Sequence, residues 1–119
     1  MKIDISEYSL ITKRMTGRNI KLFFKKSNEK SPTKVLLLTN VAAFIDNCSY
    51  RNLISISIHD TAGCYGTDMS MQLKRPEVEN FMEVFIYVDK QSTDAVFRSL
   101  SESAVWRDFD NAVFGDKNY

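Results

Sequence analysis

Apolar and polar positions alternate from the start of this chain: Ile3 and Ile5 stand between polar neighbours, and the alternation restarts out of phase at Tyr8 and Leu10. Successive side chains of a strand point to opposite faces, so the pattern predicts a strand over residues 2–12 with a bulge or break near Ser6. Thr16 and Gly17 read as a turn. Beyond it, Ile20, Leu22 and Phe24 share one face and Lys21, Phe23 and Lys25 the other, as in a second, half-buried strand. Residues 26–32 carry the Ser, Asn and Pro of a loop, and the unbroken apolar run 35–38 predicts a third strand covered on both faces.

The period then changes. Val41, Phe44, Ile45 and Cys48 fall at i, i+3, i+4 and i+7 behind Thr39 or Asn40 as a cap, which predicts a helix with Cys48 in the core. Ile54, Ile56 and Ile58 alternate with Ser55, Ser57 and His59. After a glycine-bearing loop, Met69, Met71 and Leu73 alternate with Ser70, Gln72 and Lys74, so the two runs read as paired antiparallel strands. Residues 81–88 are apolar on both parities except at Glu83, as a central strand is. Over residues 92–114, Val96, Phe97, Leu100 and Ala104 project to one side of a helix and Val105, Trp106, Phe109 and Val113 to the opposite side. One helix cannot bury both, so two are expected, with Ser101 or Ser103 at the break. The order is βββαβββαα: an α+β fold of about six strands, antiparallel or mixed, with two to three helices packed on the sheet.

Length and composition limit the rest. With 119 residues, 44% of them hydrophobic, including eight Phe, the chain reads as one domain, residues 1–119, with enough large side chains for a core. No basic segment followed by an apolar run opens it, and no apolar run approaches the ~20 residues that cross a bilayer. A cytoplasmic protein without membrane contact is expected, with Cys48 and Cys64 reduced.

The charges are sorted. Residues 1–34 hold nine bases against three acids and residues 76–119 nine acids against four bases, so local charges of +6 and −5 hide inside a net +1. A single histidine leaves no set of ligands for a zinc hydrolase, and glycines at 17, 63, 66 and 115 write neither a P-loop nor a dinucleotide fingerprint. No metal, no cofactor and no catalytic residue is assigned. The enzyme-like feature is His59 with Cys64 in the loop that follows, where an imidazole reaching the thiol would favour a thiolate. Gly63 and Gly66 equally suit an ordinary connection between strands.

The leading expectation is therefore a non-catalytic intracellular module that binds another protein through its acidic third. Tyr65, Glu83, Tyr87, Asp89, Asp94, Glu102, Trp106, Asp108 and Asp110 are the candidate contacts, with carboxylates to steer and aromatics to anchor. One form is an inhibitor or immunity-type protein that covers a cationic, nuclease-like toxin; this is an analogy from size and missing catalytic groups. The outer face of the middle hairpin, with Ser55, Ser57, His59, Ser70, Gln72 and Lys74 beside Glu83, Phe85 and Tyr87 of the next strand if the three are neighbours, offers a mixed polar and aromatic surface. The alternatives are nucleic-acid binding by the basic N-terminal third, with Phe23 and Phe24 stacking on bases, and a Cys64/His59 enzyme.

Overall fold

The computed structural model describes residues 1–47, 52–60, 81–88 and 95–109. They form one antiparallel sheet of strands β1 (Lys2–Asp4), β2 (Tyr8–Thr16), β3 (Asn19–Lys26), β4 (Lys34–Asp46), β5 (Leu53–Asp60), β6 (Met82–Val88) and β7 (Ala95–Asp108). Their order is β1-β5-β6-β7-β4-β3-β2. No helix occurs among the described residues, so the α+β expectation is corrected to an all-β fold there. It follows that no helix among them is long and apolar enough to cross a membrane.

The two outermost strands of the sheet are consecutive in the chain. β1 pairs with β5 and β2 with β3, and only residues 5–7 separate them. Ile5 N–H donates to Ile54 C=O at 2.8 Å, Tyr8 N–H to Ile5 C=O at 2.9 Å, and Ser27 N–H to Glu7 C=O at 3.0 Å. One N-terminal strand, broken near Ser6 as its pattern predicts, thus serves both edges, and the sheet is rolled on itself. Rolling brings the two edges together at this corner and gives the sheet an inner and an outer face.

The inner face holds one continuous cluster: Ile20, Leu22 and Phe24 of β3, Leu36 and Leu38 of β4, Ile56 and Ile58 of β5, Val84 and Ile86 of β6, and Val96 and Phe97 of β7, closed by Ile5, with Ile3 of β1 and Tyr8 and Leu10 of β2 packed against it. Trp106 packs edge-on against Tyr8 and Phe24, with ring centroids 5.8 and 5.2 Å apart. Each large apolar side chain buried there contributes about 1.5–3 kcal/mol.

The described parts of the three expected helices fall on two strands that bend. β4 departs from regular alternation at Asn40, which has a φ of 51°, and its pairing with β7 shifts register between Val41 and Ala43. Leu36 and Leu38 face inward before this bend, and Val41 joins the same inner cluster after it. An extra residue in a strand displaces the inward positions by one, so Val41, Phe44 and Ile45 mimic a helical stripe and Asn40 mimics a cap. In β7, the row of Phe97, Ser99 and Ser101 faces Ile86, Val84 and Met82, whereas Ala104 and Trp106 face Leu38 and Leu36. The change of parity between Ser101 and Ala104 is the break that a helical projection reads as two helices. Cys48, the strand expected over residues 69–74 and residues 110–114 lie outside the described residues.

Candidate functional site

β6 lies between β5 and β7, so Ser55, Ser57 and His59 do stand beside Glu83, Phe85 and Tyr87 on the outer face, while Ser70, Gln72 and Lys74 of the expected surface lie outside the described residues. Register puts Ser57, Phe85 and Arg98 in one row across the strands, and His59, Glu83 and Leu100 in the next. Ser57 Oγ and His59 Nε2 share a hydrogen bond of 2.7 Å. The His59 ring stands edge-on to Phe85 at 5.8 Å, Tyr87 stacks beside Phe85 at 6.1 Å, and the Arg98 guanidinium lies over the Phe85 ring, 5.1 Å from its centroid. His59 is exposed; Phe85, Tyr87 and Arg98 are half-buried; Ser55, Ser57 and Glu83 are buried. The result is an aromatic platform carrying one permanent cation and one imidazole. The period-2 pattern makes Ser57 and His59 legible as neighbours, but Arg98 was hidden by reading its segment as helix.

The other expected contacts do not converge on that platform. Trp106 belongs to the inner cluster. Glu102 is exposed on β7 and accepts a hydrogen bond from Asn40 Nδ2 at 3.1 Å. Asp108 is exposed and paired with Lys34 directly across β4–β7. That ammonium donates a hydrogen bond to the Asp108 carboxylate and, through this bond and its charge, holds its pKa below the usual range. Tyr65, Asp89, Asp94 and Asp110, together with Cys64, lie outside the described residues. Among the described residues, no group of three or more His, Cys, Asp or Glu side chains is placed to hold a metal.

The basic third maps onto the opposite part of the sheet. Arg14 and Lys21 are directly opposed on the outer face of β2–β3, with Lys25 further along β3. Phe23 and Phe24, proposed as stacking residues, are fully buried, Phe23 edge-on to Phe109 at 5.8 Å and Phe24 against Trp106.

A second concavity lies at the mouth of the rolled sheet. A groove of about 290 Å³ is lined by Met15 of β2, Arg18 in the β2–β3 turn, Ile20 of β3, and Val41, Ala43 and Phe44 of β4. Sequence patterning gave no sign of it, because it exists only where the bend in β4 meets the tip of the β2–β3 hairpin.

Comparison with known proteins yields no match to a family model, to a curated protein or to a solved structure.

Proposed function

We propose that this chain works in the cytoplasm by binding another protein, in the manner of an inhibitor or immunity-type protein that covers its partner's surface. The observation in support is the platform on β5–β6–β7. Tyr, Phe and Arg are the side chains that concentrate binding energy in protein interfaces, and here they are packed against one another, half-exposed and already ordered. Preordering matters because the entropy of fixing these side chains has been met in folding, before a partner arrives. Carboxylates of the acidic third, Glu102 among them, supply steering toward a basic partner surface.

The test is affinity isolation from the native source with the full chain, its Tyr87→Ala and Arg98→Ala variants, and an Asp108→Lys variant. A genuine partner is held by the unaltered chain and weakened about 30-fold or more by Tyr87→Ala, the usual scale for losing an interface anchor. Asp108→Lys is expected to slow association with little change in dissociation. A captured protein that binds Tyr87→Ala and Arg98→Ala as tightly as the unaltered chain removes this reading.

Nucleic-acid binding has one observation in its favour, the shared outer face of Arg14, Lys21 and Lys25. It predicts affinity for duplex or single strands that falls steeply between about 50 and 200 mM salt. Without stacking by Phe23 or Phe24, that affinity would rest on phosphate contacts alone.

A further inference from the structure

We propose that the groove at the mouth of the rolled sheet binds a small amphiphile, an apolar body carrying a single carboxylate. The site is separate from the aromatic platform and is built by an identifiable distortion. Asn40 holds a left-handed backbone, and side chains on both sides fix it there: its N–H donates to Asn19 Oδ1 at 3.0 Å and its Nδ2 to Glu102 Oε2 at 3.1 Å. Asn adopts this conformation more readily than other non-glycine residues, and here the two hydrogen bonds hold it in place. Immediately beyond, pairing of β4 with β3 has ended at Leu38 and the register with β7 shifts between Val41 and Ala43. Val41 N–H still reaches the hairpin, donating to Arg18 C=O at 2.7 Å. From there β4 leaves β3, and the groove opens between them.

The lining defines the ligand. Met15 and Phe44 are 57% and 41% exposed, two large apolar side chains facing solvent beside a floor formed by Ile20 and Val41. A contiguous apolar concavity with a polar group at its rim is the usual setting for a small-molecule site. Arg18 supplies the polar recognition. It is exposed at the rim, its backbone is anchored by Val41, and its guanidinium has no ion-pair partner among the described residues. Lys13 and Asp46 neutralise each other, and among the described residues that line the groove Arg18 carries the one charge, which favours an anionic group. A planar guanidinium fits a carboxylate through two parallel hydrogen bonds. The volume of the groove, about 290 Å³, is at the small end of the range for small-molecule sites.

Octanoate matches that description, and 1-octanol keeps the body without the charge. The full-length chain, isotopically labelled, would be titrated with each while the amide signals of Gly17, Ala42, Ala43 and Phe44 are followed by NMR. Octanoate is expected to give saturable shifts centred on these residues and to bind about tenfold more tightly than octanol. Arg18→Gln, an exposed change, should bring octanoate down to the level of octanol. Val41→Trp should abolish the response to both by filling the groove, and Val41→Phe provides a milder filling if the larger change unfolds the chain. Equal binding of octanoate and octanol by the unaltered chain, an undiminished octanoate response in Arg18→Gln, or the absence of saturable shifts would each overturn the proposal.

Discussion

At Asp108, the sorted charges of the chain meet. Lys34 is the last base of the basic third, and the antiparallel pairing of β4 with β7 places it directly opposite Asp108 of the acidic third. The charge asymmetry therefore serves internal complementarity at this point as well as any external field. Because Lys34 lowers the carboxyl pKa below its ordinary 3.8, the pair favours the folded state above the ordinary carboxylate pKa, and that preference is lost as pH falls through the lowered value. Replacing Lys34 by Met should return the Asp108 midpoint, followed by NMR of its carboxyl carbon, toward the ordinary value. A midpoint that stays low would assign the shift to some other group. Asp4 is lowered in the same direction by a different device, a hydrogen bond from Ser6 N–H at 2.9 Å. No residue count distinguishes these two causes, since one is local in sequence and the other joins residues 74 positions apart.

Among the elements, the bulges decide more than the propensities. Register shifts interrupt β2 beside Leu10, β4 between Val41 and Ala43, β5 between Leu53 and Ser55, and the β6–β7 ladder beside Tyr87. A rolled sheet needs such irregularities, because each bends and twists its strand where a flat ladder would not close. Regular strands such as β3, whose Ile20, Leu22 and Phe24 keep one parity throughout, were legible from periodicity alone. The bent strands β4 and β7 were not, because a change of parity within a strand produces apolar spacings of three and four, the same spacings a helix produces. Asn40 is the sharpest case. Asn40→Gly should tolerate the left-handed backbone and lose the bond to Glu102, whereas Asn40→Ala loses that bond and also strains the backbone. Urea unfolding is expected to rank Ala below Gly by about 1 kcal/mol. An Ala variant as stable as the Gly variant would show that the bend is maintained without strain.

Across the whole molecule, closure of the sheet depends on pairings between distant segments: β1 with β5, and β4 with β7. Loop-closure entropy must be overcome before these ladders contribute, so refolding is expected in milliseconds to seconds, in the range of all-β domains. Trp106, the one tryptophan of the chain, lies in the inner cluster and reports this directly by stopped-flow fluorescence. Completion within a few microseconds would mean that local contacts dominate the barrier. By itself, the sequence determined the local facts: strands at β3, β5 and β6, a break near Ser6, the turn at Gly17, the common face of Ser57 and His59, and the separation of charge. These follow from side-chain period and backbone preference, which act over a few residues. Tertiary structure alone decided that β4 and β7 are strands, that Arg98 completes the platform over Phe85, that Lys34 meets Asp108, and that a groove opens beside Asn40. Each of these depends on which strand lies beside which, and long-range pairing is set by the burial of a shared inner face that no short stretch of sequence displays.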